Sequence, residues 1–230
     1  DPERRVLSGC LDRQSRTIDL LLNRKGQINI THIMKILREH GPKFQEKPFI
    51  ASKGTMSSIC GHMNSKTIHQ TTASYVAHLL KDLQIHWLTG TSAPCLSIFK
   101  PFSFNSPDSL KTIQIPSLKN DNVSLWWKHE KLHREIIMDY EKRAPIVIKK
   151  NQELEQELIN RIKNTVKKVN SINQEELKLE LNEISTKALE QNFSLIEHLY
   201  EKISQMEIEK SAPKGYIKFW MALNKEVGLV

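Results

Sequence analysis

Polar and nucleophilic side chains are densest in three stretches of the first half of the chain: Ser58-Ile59-Cys60-Gly61-His62, Gln70-Thr71-Thr72-Ala73-Ser74, and His86 through Cys95. A thiol two residues from an imidazole is the raw material of nucleophilic catalysis, in which a base takes the proton and leaves a thiolate. If the chain stays extended through Gly61, Cys60 and His62 share a face, because side chains alternate along a strand. The same alternation sets Thr72, Ser74 and Val76 together and turns two hydroxyls toward any adjacent cleft. Alternate residues of a strand are seldom close enough for the hydrogen bond that activates a thiol, so the spacing favours pocket lining over a catalytic pair. Each residue also has a plainer use. Cys is often a small buried hydrophobe, strand Thr and Ser pair across a sheet, and Gly90 with Pro94 turns a chain.

The remaining candidates are weaker. Cys10 has no base nearby in sequence, and Cys95 follows Pro94 in a turn. Three cysteines without CxxC or Cys/His ligand spacing indicate neither a disulfide framework nor a zinc site, so no metal and no cofactor is expected. A reducing, cytoplasmic compartment fits that cysteine usage. His129 and His133 have the (i, i+4) spacing of a metal pair, but no third ligand accompanies them and Trp126 shares their stripe, which points to packing.

Elements must position these groups. Thr31 can cap a helix whose Ile33, Met34, Ile36, Leu37 and His40 fall on one side, with Gly41-Pro42 stopping it. Residues 57–60, 72–77 and 84–89 are rich in β-branched and aromatic side chains and are bounded by glycines, which predicts short antiparallel strands. A Pro/Ser/Asn-rich connection follows, from Pro101 through Asn105-Ser106-Pro107 to Asn120-Asp121-Asn122. Beyond it Leu125, Trp126, His129, Leu132, His133, Ile136, Ile137 and Tyr140 repeat at three and four, a helix burying one face. Pro145 should kink or break that helix. The pattern resumes from Ile148 to Val169, is interrupted at 171–174, and continues from Leu177 to Met206, which predicts two long helices in a hairpin. Glu153, Glu155, Glu157 and Lys163 belong to a solvated face with weak (i, i+4) pairs. Two regions result, 1–120 and 121–230.

Composition narrows the function classes. The chain has 230 residues, 39% of them hydrophobic, and a formal net charge of +8. That apolar content excludes disorder as the main state. No run approaches the ~18 apolar residues of a membrane span, so no membrane is expected. Residues 1–120 hold 16 basic and 8 acidic side chains, 121–170 hold 11 and 8, and 171–230 hold 7 and 10. The excess is dispersed, without the Lys/Arg runs or motif of a nucleic-acid binder, so no nucleic acid is expected either. The opening Asp1-Pro2-Glu3-Arg4-Arg5 is neither a signal peptide nor an initiating Met, which suits a piece of something longer.

One further observation is a resemblance. The stretch from His86-Trp87-Leu88-Thr89-Gly90-Thr91-Ser92-Ala93-Pro94-Cys95 to Leu96-Ser97-Ile98-Phe99-Lys100-Pro101-Phe102 closely resembles the second half of secernins and their microbial relatives in the cysteine dipeptidase family. Ile33 to His40, Thr71 to Ser74 and Trp127-Lys128-His129-Glu130 look like that family's segments in the right order, so the similarity runs from about residue 30 to about residue 165. It implies an N-terminal-nucleophile hydrolase fold, an αββα sandwich, and cleavage of amide bonds in dipeptides or small amides by a leading cysteine whose α-amino group is the base. Residue 1 here is Asp, no segment resembles the family's opening strand, and none of the three cysteines matches the nucleophile's position.

These readings combine into an α+β chain: 1–120 as the C-terminal half of the hydrolase sandwich, and 121–230 as an appended helical hairpin. The chain alone is expected to be inactive, carrying no catalytic residue. Its expected partners are the missing N-terminal half, in the same chain or another, and a small peptide or amide substrate. Uncovered strands and apolar faces would otherwise drive self-association into a homo-oligomer. Shared-face spacing and resemblance together nominate Cys60, His62, Thr72, Ser74, Thr89 and Thr91 as pocket residues converging near one sheet edge. The alternative is a non-catalytic interaction module whose helical region binds a protein.

Overall fold

A computed structural model describes residues 8–42, 48–64, 66–67, 69–81, 83–104 and 108–229; the opening five residues and the Asn105-Ser106-Pro107 part of the expected connection lie outside the described residues. Two short helices come first, α1 (Cys10–Leu22) and α2 (Ile30–Leu37), then strands β1 (Tyr75–Leu79), β2 (Gln84–Leu88) and β3 (Lys100–Phe102). Five helices follow: α3 (Asp108–Lys111), α4 (Leu125–Ile136), α5 (Tyr140–Lys168), α6 (Gln174–Ser204) and α7 (Lys214–Val227). The result is a mixed α+β chain, a small antiparallel sheet followed by a long helical region. Among the described residues no helix is long and apolar enough to cross a membrane.

Helix α2 is capped by Asn29 instead of Thr31: the Asn29 backbone is extended and its side chain accepts the His32 N–H at 3.1 Å. It ends at Leu37, so Arg38, Glu39 and His40 leave the helix before Gly41, whose φ of 112° only glycine adopts readily. The sheet has the order β1-β2-β3, with Tyr75 opposite Leu88 and His86 opposite Phe102. Period-2 geometry puts Ile85 and Trp87 into a core with Val76, while His86 faces the other way, stacked on Tyr75.

The strand expected at 57–60 is absent. Its donors are taken elsewhere: Ser58 N–H binds the Thr55 carbonyl at 3.2 Å and Cys60 N–H the Glu39 carbonyl at 2.9 Å, leaving no ladder to form. Likewise β1 starts at Tyr75, so Thr72 precedes the strand and the alternation assumed for Thr72 and Ser74 does not hold. The β1/β2 pairing extends to Leu80, whose N–H binds the Leu83 carbonyl at 2.9 Å.

One core joins Met34, Val76, Trp87 and Phe99 to Leu158, Ile162, Leu181 and Ile184 of the α5/α6 hairpin. The other joins Ala51, Ala93 and Leu96 to Leu132, Ile136, Val147, Ile203 and Trp220. Both cores draw on residues before and after position 120, so the compositional boundary there does not separate two cores. Ser124 caps α4 by accepting the Trp127 N–H at 3.3 Å, and Trp127, not Trp126, lies on its buried face. The hairpin turns where expected, with an Asn173/Glu176 capping box opening α6.

Two further expectations are corrected. The break falls at a 3-10 turn, Ile137–Asp139, while Pro145 is accommodated inside α5. Tertiary bonding fixes the break: the Asp139 carboxylate accepts the Glu209 and Lys210 N–H groups at 2.8 and 3.0 Å, and one missing helical bond at Pro145 is tolerated downstream. Glu155 is not on a solvated face; it is buried and paired, as described below.

Candidate functional site

Three segments that are distant in sequence meet at one point. His40, just past α2, Cys60 and His62 on the irregular loop, and Cys95 in the 3-10 turn Pro94–Leu96 place one donor atom each within 4.8 Å of the others. His62 Nε2 is the centre: His40 Nε2 lies at 3.2 Å, Cys95 Sγ at 3.3 Å and Cys60 Sγ at 3.6 Å. Cys60 and His62 do meet, because the loop curls where a strand would have kept them apart.

Each member is held from outside. The His40 ring stacks on Phe49 with centroids 3.6 Å apart and planes within 3°. The His62 backbone is crowded by Gly54, where a Cβ would come within 2.8 Å of the His62 carbonyl oxygen. Cys95 is framed by Arg38, which donates to the Pro94 and Ser97 carbonyls at 2.9 Å each. The same guanidinium makes a bidentate pair with Glu155 at 2.8 and 2.6 Å, and Glu155 also accepts the Phe99 N–H at 2.8 Å. The Tyr140 hydroxyl stands 3.7 Å from Cys95 Sγ. His62 Nδ1 is buried without a hydrogen-bond partner among the described residues.

The electrostatics divide the two thiols. Burial works against ionising Cys95, but the hydrogen bond from Cys60 and the neighbouring imidazoles of His62 and His40 outweigh it and hold the thiol well below its ordinary range. Burial, reinforced by the hydrogen bond to Cys95, pushes Cys60 well up. Burial also lowers the His62 imidazole, with Cys95 opposing. A thiolate at Cys95 and the lone pairs of two imidazoles can hold a soft cation or serve as nucleophile and base.

The six sequence-nominated residues separate. Cys60 and His62 sit in the cluster. Thr89 and Thr91 are buried and bonded within the fold: Thr89 Oγ1 accepts the Ser74 N–H at 2.9 Å and Thr91 Oγ1 donates to Ser97 Oγ at 2.9 Å. Ser74 is half-buried beside Thr89, and Thr72 is exposed. The neighbouring Thr71 is the one that engages the loop, its Oγ1 accepting the Gly61 N–H at 2.9 Å. His129 is a packing residue, as expected, 2.9 Å from the Ser92 carbonyl through Nε2.

Sequence reasoning missed His40, Cys95, Arg38 and Glu155. Donor residues 20, 2 and 33 positions apart match no local metal pattern, so spacing carried no signal for the cluster. An open cavity of about 750 Å³ reaches Cys95 and His40 between α2 and α5, with Lys35, Arg38 and Lys149 on its wall. No family model, no curated protein and no solved structure matches the chain.

Proposed function

We propose that this chain is the C-terminal portion of a secernin-like cysteine hydrolase acting on amide bonds of dipeptides or small amides, in the cytoplasm, with the nucleophile supplied by the N-terminal half. The observation that carries this reading is that the segments bearing the resemblance bond to one another around one site. Arg38 holds the Pro94 and Ser97 carbonyls, Thr71 accepts the Ala93 N–H at 2.9 Å through its carbonyl, and Glu130 accepts from Ser92 Oγ.

Two features support the missing-half part. No strand pairs with the outer side of β1 among the described residues, and Tyr75 and Leu79 are exposed, so an added strand could extend the sheet. The cavity beside Cys95 carries Lys35 and Lys149, cations suited to a small peptide's carboxylate. The αββα sandwich belongs to this proposal and not to the sheet described above.

The test is amino-acid release from a dipeptide panel, by the 230-residue chain alone and joined to the segment preceding it in its reading frame. The reading expects no release by the chain alone, and release by the joined protein that thiol alkylation abolishes. Thiol-dependent hydrolysis by the chain alone, or an inactive joined protein, contradicts it.

A further inference from the structure

We propose that His40, Cys60, His62 and Cys95 bind one Zn²⁺ in a four-coordinate site that fastens the end of α2, the 57–64 loop and the Pro94–Leu96 turn together. The inference does not rest on the hydrolase reading, since such a site can serve an enzyme or an interaction module alike.

Hydrogen bonding accounts for only part of the cluster. A ring nitrogen offers one N–H or one lone pair, yet three heteroatoms crowd His62 Nε2 at 3.2, 3.3 and 3.6 Å. One can be satisfied; the others are left pressing on it in a buried place. A cation at the centroid uses all four lone pairs at once. Zn–N bonds of about 2.0–2.1 Å and Zn–S bonds of about 2.3 Å at tetrahedral angles require N···N edges near ~3.3 Å and N···S edges near ~3.5 Å. The three measured edges fall within a few tenths of an ångström of these values.

Charge and donor type agree. Two imidazoles and two thiolates are soft and borderline donors that suit Zn²⁺ over Mg²⁺ or Ca²⁺, and two thiolate charges neutralise the ion in a buried setting. On coordination both cysteines bind as thiolates, any thiol proton still present leaving to solvent, while both imidazoles bind as neutral rings through Nε2. With four protein donors and no open position the role is structural. The frame is built in advance: Phe49 holds the His40 ring, the Glu39 carbonyl holds Cys60, and Arg38 holds the turn carrying Cys95.

The experiment loads the reduced, metal-stripped chain with Zn²⁺, then with Co²⁺ as a spectroscopic probe. The proposal expects about one Zn²⁺ per chain retained through gel filtration, net proton release on loading, and the intense visible bands of tetrahedral cobalt with a thiolate-to-cobalt absorption in the near ultraviolet. C95S should roughly halve that absorption, since one of two thiolates is lost, whereas C10S should leave it unchanged. Because Cys95→Ser could fail to fold, proton release and the cobalt spectrum of the unsubstituted chain decide alone. Folded chain retaining no Zn²⁺, a weak six-coordinate cobalt spectrum, or equal losses in C95S and C10S overturns the proposal. A Cys60–Cys95 disulfide persisting in reductant does so too.

Discussion

Replacing Arg38 by Met removes the positive partner of the pair that frames Cys95. The Arg38 and Glu155 side chains are 20% and 7% exposed, so the pair is largely out of water but not sealed. Deleting one member of a buried pair costs about 3–5 kcal/mol, and the partial exposure of Arg38 places Arg38→Met at the lower end, about 3 kcal/mol. Glu155→Leu strands the guanidinium less, since two carbonyls still accept from it, but it also orphans the buried Phe99 N–H, a further penalty of about 1–3 kcal/mol. The double substitution leaves neither charge stranded. It should therefore cost less than the sum of the singles, by about 2 kcal/mol. Urea denaturation followed by circular dichroism, with equal slopes across the four proteins, measures this coupling. Losses additive within about 0.5 kcal/mol would refute the account of Arg38 and Glu155 as one brace.

Other expectations follow from burial and close approach. Burial pushes the Lys100 ammonium down to about 7, against the opposing pull of Glu155. The folded chain then binds fewer protons than the unfolded one between about pH 7 and pH 10.4, so stability should rise with pH through that window, by at most ~1.4 kcal/mol per unit, and Lys100→Met should flatten the rise; an unchanged slope in the variant's urea midpoints counts against it. Leu132→Asp puts a charge where 1% of the side chain is exposed and should unfold the helical region, whereas Glu153→Ala, on the solvated side of α5, should leave the thermal midpoint unchanged; equally mild effects would mean that the stripe is uncovered. Gly54→Ala drives a methyl to within 2.8 Å of the His62 carbonyl oxygen and should destabilise the chain by about 1–3 kcal/mol while loosening the cluster, read by faster alkylation of Cys95; a neutral Gly54→Ala would show that the loop gives way freely.

The helical half was legible because its signal is periodic. Leu132, Ile136, Leu158, Leu181 and Ile203 are buried where the three-and-four spacing puts them, and the turn at 169–173 falls at the interruption in the pattern. Helix α7 is harder to read because Tyr216 and Trp220 are its only fully buried residues, with Phe219 and Leu223 packing at the margin of the core. Glu155 looked like a surface charge because its partner, Arg38, is 117 residues away and no local rule connects them. The site was half legible for a similar reason. Cys60 and His62 stood out as neighbours in sequence, but the argument that kept them apart assumed a strand, and the Glu39 carbonyl that bends the loop is contributed from α2's exit. Thr72 was chosen over Thr71 by the same false alternation. His40 and Cys95 become members of the cluster only through tertiary approach, which spacing does not encode.

The most direct measurement is X-ray absorption at the zinc edge on the purified, zinc-loaded chain. The account predicts a first shell of two sulfurs at about 2.3 Å and two nitrogens at about 2.0–2.1 Å, with the outer-shell scattering of two imidazole rings, and one sulfur fewer in C95S. A shell of light atoms only, or an identical shell in C95S, would contradict it.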